Sequence, residues 1–236
     1  MFDFGPLIGS DLNFSARPYA PLLQVEGIEQ IEAGFITHLH RDHYGAALSA
    51  AHSDAVSTIY TVGDRTGDEF AFGFDSVVRE RSIRVKSLQS GESLELADGV
   101  KVYVLAPDST ERTDEINNDR SLALKIVYGN TSILMLGDIE QQGERELVER
   151  YGHWLESDVV KVAHHGSISS STSELVRVAS PKFAVISCGR NNQFGHPHNR
   201  VVSRWLRTGA DVLRTDKDGA IILSTNGKRV QQVHWR

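Results

Sequence analysis

Gly34-Phe35-Ile36-Thr37-His38-Leu39-His40-Arg41-Asp42-His43 (GFITHLHRDH) is the stretch on which the reading of the chain turns. Gly34–Thr37 is a short β-branched and aromatic run of the kind that forms a strand, and Tyr44-Gly45-Ala46-Ala47-Leu48 beyond it reads as a helix start. Four ligand-type side chains, His38, His40, Asp42 and His43, fall within six residues at the end of that strand. In extended backbone His38 and His40 point to the same side, because side chains alternate. The turn that follows can bring Asp42 and His43 to a second point nearby. Two imidazoles on one centre, and a carboxylate with an imidazole on another, is how a single loop supplies two adjacent metal sites. The bland alternative is an exposed polar turn rich in histidine; the strand context and residue order weigh against it.

Three further constellations place ligand-type residues after an apolar strand or its loop. Leu134-Met135-Leu136-Gly137-Asp138 ends a buried run in one carboxylate. Asp138 can bridge two metals with its two oxygens, or cap a helix starting near Ile139; the sequence leaves both open. Val162-Ala163-His164-His165-Gly166-Ser167 and Gly195-His196-Pro197-His198 complete the set. Seven of the ten histidines therefore lie in three clusters, 38/40/43, 164/165 and 196/198, which can converge at one edge of a sheet. His52, His153 and His234 have no such context and read as surface or structural.

Composition fits this reading. The chain has 236 residues, with 25 Lys or Arg against 31 Asp or Glu, a formal charge of −6. Hydrophobic residues make up 40% and charged residues 24%, ordinary for a globular protein and unlike a disordered or fibrous one. A single cysteine, Cys188, excludes an intrachain disulfide framework and a cysteine-cluster zinc site, so any metal must be held by nitrogen and oxygen. The acidic balance gives no basic footprint for long nucleic acids. Bound cations would nevertheless add local positive charge that composition omits. Asp3 stands where a signal peptide would carry positive charge, and no run approaches the roughly 18–20 apolar residues of a membrane span. The expectation is a soluble, cytoplasmic protein without a membrane span.

No repeat, low-complexity tract or linker interrupts the chain, and residues 1–236 are expected to form a single domain. Pro107–Arg120 reads as a charged surface loop. Strands are expected at Gly34–Thr37, Val100–Leu105, Ser121–Tyr128, Thr131–Leu136, Val159–Ala163 and Phe183–Ser187, with a tight hairpin at Gly129-Asn130. Helices are expected at Glu140–Tyr151, Ser173–Ala179 and Arg200–Thr208, the last stopped by Gly209. A strand-rich first half and an alternating second half imply α/β, with mixed sheets covered by helices.

HLHRDH, then LGD, KVAHHGSISSSTSELV, NNQFGHPHNRVV and LRTDKDGA together resemble the metallo-β-lactamase superfamily. More narrowly they are similar to the C-terminal hydrolase domain of the competence protein ComEC, and Asn118-Asp119-Arg120-Ser121-Leu122 fits that group. The likeness runs from about Tyr19 to Ala220. It implies a four-layer αββα sandwich of two mixed sheets flanked by helices, with two divalent ions, zinc or manganese, at one edge. Carried over, His38 and His40 would hold the first metal, Asp42 and His43 the second. Asp138 would bridge them and His196 would complete the second site. His164 would be a ligand, or would sit just outside with His165 as a proton donor.

Two departures stand out. The family has a further histidine ligand between the first motif and the bridging Asp, where this chain offers Asn118 or Asp119. An oxygen donor there would shift preference toward manganese or magnesium. The strand pair that opens the subgroup is also absent before Phe2-Asp3-Phe4-Gly5; the expectation is either a shortened sheet that lacks its first strands or a sequence start that falls late.

The implied activity is hydrolysis by water activated between two cations roughly 3.5–4 Å apart, with Asp42 in the catalytic set and His165 or His198 protonating the leaving oxygen. Ser167, Ser169 and Ser170, in the run Ser167–Ser173, offer hydroxyls and N–H groups to cradle phosphate oxygens; a flexible serine loop that caps the next helix is the alternative. Arg190 and Arg120 are further candidates for phosphate contact. The first expectation is a phosphodiesterase or nuclease acting on single-stranded nucleic acid or a nucleotide. Hydrolysis of a carbonyl substrate (lactone, thioester or β-lactam) is the second, and a catalytically silent binding domain the third.

Overall fold

The computed structural model describes residues 1–6, 20–62, 76–96, 99–108 and 117–233. His234 and most of the charged 107–120 loop lie outside them. The chain divides into two compact units, Met1–Gln89 with Ser109–Asn117, and Ser90–Asp108 with Asn118–Arg236. No helix among the described residues is long and apolar enough to cross a membrane.

The first unit is built on a three-stranded parallel sheet, β1 (Ile31–Phe35), β2 (Val56–Thr61) and β3 (Arg84–Ser87), in that order. β2 is central, and its β-branched residues are largely buried, as parallel strands covered by helices require. Helix Ala47–His52 joins β1 to β2 and turns Ala47, Ala50 and Ala51 into the core with Ile31, Val56 and Ile59. The first residues run beside β1: Phe35 N donates to Met1 O and Asp3 N to Phe35 O, both at 2.8 Å. Gly34 makes that approach possible, since a Cβ there would lie 2.5 Å from Phe4 Cζ. Phe4 is buried as a result, and Asp3 is left at the end of β1 beside Thr37.

The second unit carries seven strands: β4 (Ser93–Glu95), β5 (Lys101–Ala106), β6 (Ala123–Tyr128), β7 (Thr131–Met135), β8 (Val159–Lys161), β9 (Phe183–Ile186) and β10 (Asp211–Arg214). Their order is β10-β9-β8-β7-β6-β5-β4. Pairing is antiparallel from β4 to β7 and parallel from β7 to β10. A hairpin, β11 (Ile222–Thr225) with β12 (Val230–Val233), follows. The switch to parallel pairing coincides with the helices Gln141–Tyr151, Ser173–Ala179 and Asn199–Leu206, each the crossover of a β-α-β unit. Leu134, Leu136, Leu147, Val160, Leu175, Ile186 and Trp205 form the core beneath them. Gly129 makes the expected tight turn: its φ is +58°, and a Cβ would meet Gly227 O at 2.4 Å.

Each expected strand is present but shortened at one end or shifted; β6 begins at Ala123 rather than Ser121. β1 stops at Phe35, β7 at Met135, β8 at Lys161 and β9 at Ile186, short of the expected ends.

Candidate metal centre

In the first unit the GFITHLHRDH stretch leaves β1 and turns at His40, whose extended backbone leads into the short helix Arg41–Tyr44. His38 Nε2 and His40 Nδ1 are brought to 2.8 Å of one another. Asp42 Oδ2 and His43 Nε2 stand 3.7 Å apart. One loop thus presents two donor pairs, imidazole with imidazole and carboxylate with imidazole. His38 and His43 are each 2% exposed, so their rings are fixed by packing, whereas Asp42 is largely in solvent. The remaining nitrogen of His43 is held: Nδ1 lies 2.8 Å from Asp3 Oδ2 and 3.2 Å from Thr37 Oγ1. Asp3 is itself fixed by Thr37, which donates from N at 2.8 Å and from Oγ1 at 3.1 Å. A carboxylate on the far nitrogen sets tautomer and ring orientation, the usual support of a metal-binding histidine. Sequence reading missed Asp3 in this role. Forty residues of separation hide the pair, and its position depends on the close approach at Gly34.

In the second unit Asp138 follows β7 through Gly137 and is buried. Its Oδ2 lies 3.5 Å from His165 Nε2 and its Oδ1 3.6 Å from Lys161 Nζ. His165 Nδ1 contacts the Ser187 carbonyl at 2.7 Å, which places the proton on Nδ1 and leaves Nε2 facing Asp138. His164 and His165 both take left-handed backbone, with φ of 46° and 52°. Two successive non-glycine residues in that region hold strain of order 1–3 kcal/mol each, and it turns two adjacent imidazoles in different directions. Gly166 continues the turn at φ +81°, where a Cβ would meet Pro197 at 2.6 Å. The His164–His165 turn and the His196–His198 loop are thereby packed together, with His198 N donating to Gly166 O at 2.9 Å. The His164 and His196 rings are 5.8 Å apart. Burial, then the charges of His164 and His165, hold the His196 pKa below the ordinary imidazole value.

The capping alternative for Asp138 is not what the structure shows. The helix begins at Gln141, and Asp119 Oδ1 accepts from Glu140 N at 2.6 Å and Gly143 N at 2.9 Å. Capping thus falls to Asp119, and Asp138 points elsewhere. Asn118, one residue earlier, donates from Nδ2 to Glu140 Oε1 at 3.4 Å. That contact orients the amide, and among the described residues its buried Oδ1 has no hydrogen-bond partner. An unpaired buried oxygen next to Glu140 is what a cation ligand leaves in a metal-free structure, so the residues fit a divalent ion. Glu140 Oε1 also accepts from Ser169 Oγ at 2.8 Å and lies 3.0 Å from His164 Nδ1, though off the line of a hydrogen bond. Sequence reading passed over Glu140, which it counted only as the start of a helix.

The serine run is bonded largely within its own turn. Ser170 is wholly buried, and its hydroxyl donates to Ala163 O and Ser167 O. Four of the loop's N–H groups are engaged as well: Ser169 N on Ser167 Oγ, Ser170 N on Ser167 O, and Ser171 and Thr172 N on the buried Glu144 carboxylate at 2.5 and 2.6 Å. Ser167 and Ser169 bond one another through their hydroxyls at 2.9 Å. Arg204 and Trp205 complete the clamp on Ser170 and Ser171. The run builds a rigid turn, and Thr172 caps the following helix. His198 also has a structural duty, since its Nδ1 accepts from Arg200 N at 3.3 Å as a helix cap. Arg190 is exposed and anchors Nε on Asp216 O at 3.1 Å.

A family model described as the beta-lactamase superfamily domain matches residues 5–165. The chain is 30% identical to ComE operon protein 3 of Bacillus subtilis over 230 residues, 90% of this chain and 29% of that one. It is likewise 30% identical to Competence protein ComA of Neisseria gonorrhoeae over 222 residues, 94% of this chain and 28% of that one. The chain spans less than a third of the length of these curated relatives. Among solved structures it resembles CmlA, a diiron β-hydroxylase from Streptomyces venezuelae, with a TM-score of 0.51 at 16% identity over 79% of this chain and 44% of that one. That is a likeness of fold alone.

Proposed function

The chain belongs to the beta-lactamase superfamily and has its α/β metallo-hydrolase fold; from that premise we propose that it hydrolyses phosphodiester bonds with the help of two divalent cations. The observation that carries the reading is the geometry of one loop: His38 Nε2 with His40 Nδ1 at 2.8 Å, and Asp42 Oδ2 with His43 Nε2 at 3.7 Å. A loop of this composition has no evident structural need for two convergent donor pairs. Following the family motifs, the proposed ligands are His38, His40, Asp42, His43, Asp138, His164 and His196, with Asn118 in place of the absent histidine.

When bound, two such cations supply Lewis acidity toward phosphoryl oxygens and an activated water. The chain's own residues do the remainder. Asp3 keeps the proton of His43 on Nδ1, so that Nε2 is presented as a donor pair to a cation. Lys161 sits 3.6 Å from Asp138 and offsets its buried negative charge. His165 holds its Nδ1 proton on the Ser187 carbonyl, so its Nε2 would have to take up a proton, as an imidazolium, before passing it to a leaving oxygen.

Two features favour a phosphodiester over a carbonyl substrate. The oxygen donor of Asn118 suits a harder cation such as manganese, and one relative matched over nine-tenths of the chain is Competence protein ComA. The test is turnover with manganese and, separately, zinc, against single-stranded DNA, bis-p-nitrophenyl phosphate, a lactone and nitrocefin. An Asp42→Ala, His43→Ala double variant serves as the control. Metal-dependent cleavage of the two phosphodiesters, lost in the double variant, is expected. Hydrolysis of the carbonyl substrates alone overturns the proposal.

A further inference from the structure

Phe194 is 71% exposed, the most exposed large hydrophobic residue among those described, yet it is not on a loose segment. Its ring stacks on His196 with centroids 5.8 Å apart and planes 20° from parallel. The loop that carries it is pinned by Asn192. That side chain donates to Gly189 O at 3.0 Å and His196 O at 2.6 Å, and accepts from His196 N at 2.9 Å. Gly195, at φ +68°, turns the chain back so that the aromatic ring and the histidine two residues on lie face to face. An exposed apolar face that is already ordered meets a flat partner with little further loss of conformational freedom. Two exposed cationic positions flank it: Arg190 on the loop before it and Arg200 in the first turn of the helix Asn199–Leu206 after it. In a chain of net charge −6, this interleaving of an aromatic with arginines is a local departure.

We propose that Phe194 is a stacking platform for a nucleobase, making the substrate a base-bearing single strand or nucleotide whose phosphate lies near His196. The proposal rests on the phosphodiesterase reading for the identity of that phosphate. A ring stacked on one side and open on the other takes a base without hydrogen-bond readout, so it tolerates any base and excludes a paired one, whose faces are already covered by its neighbours. Arg190 and Arg200 would meet the flanking phosphates, which adds affinity without sequence preference.

The test is binding rather than turnover, so that it stands apart from catalysis. Fluorescence anisotropy compares the full chain with a labelled single-stranded oligothymidylate and with an abasic strand of equal length and charge, in EDTA. The wild-type chain should prefer the base-bearing strand, and Phe194→Ala should reduce that preference by roughly 5- to 150-fold, the contribution of one aromatic stack. Phe194→Leu keeps bulk over His196 but offers no π face, and should lose the preference too, while Phe194→Trp should retain it. An unchanged preference in Phe194→Ala and Phe194→Leu overturns the proposal. So does a wild-type chain that binds the base-bearing strand no better than the abasic one, weak binding of both included. Base preference without any phosphodiester turnover would overturn the hydrolytic reading and leave the platform standing; turnover without base preference would do the reverse.

Discussion

Asp3 Oδ2 lies 2.8 Å from His43 Nδ1, a contact that spans forty positions of sequence and fixes which nitrogen of a buried histidine faces outward. The same carboxylate takes the N–H and hydroxyl of Thr37, so strand end, carboxylate and imidazole form one rigid unit. Removing the carboxylate frees the tautomer and the ring angle together. Asp3→Ala is expected to weaken metal binding by roughly 10- to 100-fold, with Asp3→Asn intermediate. Competition titration against a chromophoric chelator measures this; unchanged affinity in Asp3→Ala would show that His43 needs no such support.

Asn118 Oδ1 is buried without a hydrogen-bond partner among the described residues, and Glu140 orients the amide that carries it. If that oxygen completes a cation site, Asn118→Ala should lower manganese affinity by about tenfold or more. Asn118→His should raise the preference for zinc over manganese, because imidazole is the softer donor. Equal affinities for both metals in all three proteins would remove Asn118 from the ligand set.

Ser170 separates a rigid turn from a substrate cradle. Its hydroxyl is buried and donates to two carbonyls of its own turn. Ser170→Ala is therefore expected to cost about 1 kcal/mol of stability while leaving KM for bis-p-nitrophenyl phosphate within about twofold. A large rise in KM with unaltered stability would restore the cradle.

Asp119 caps the helix over Glu140 and Gly143, and a Cβ at Gly143 would stand 2.9 Å from its Oδ1. Asp119→Ala is expected to cost about 1–2 kcal/mol. Gly143→Ala should also destabilise, although alanine in an open helix gains about 1 kcal/mol over glycine. Urea midpoints decide, and a stabilising Gly143→Ala would show that the cap tolerates displacement.

Burial pushes the Glu144 carboxyl up to about 7, outweighing the Thr172 and Ser171 N–H groups that favour its charged form. A folded-state pKa above the unfolded one means that the native chain binds the extra proton. The contribution of this group to stability is thus full below its unfolded pKa, near 4.5, and is lost as pH rises toward 7. The melting temperature of the wild type relative to Glu144→Gln should fall between about pH 5 and pH 8. A difference that is flat across that range would mean that the carboxyl titrates normally.

Much of this was legible in residue order. The GFITHLHRDH stretch, the Gly137-Asp138 strand end and the two later histidine clusters each lie where the chain was read to place them, because apolar runs and turn residues act locally. The Gly129-Asn130 hairpin and the Ser173–Ala179 helix are likewise local matters. β2 went unread because Ser57 and Thr58 interrupt its apolar pattern, and only burial on both faces makes VSTIYT a central strand. Glu140 was hidden differently, since an acidic residue at a helix start has an adequate local explanation.

The sequence by itself determined the family, the α/β class and the inventory of nitrogen and oxygen donors, since these depend on residue type and spacing along a strand or turn. Tertiary structure alone decided what each donor's second atom does. It set Asp3 on His43, Ser187 on His165 and Asp119 on the helix that Asp138 was free to cap. It also turned the serine run inward, onto a buried carboxylate. The physical reason is the same in each case. A buried polar group must find a partner, and which partner is within 3 Å depends on how distant segments pack.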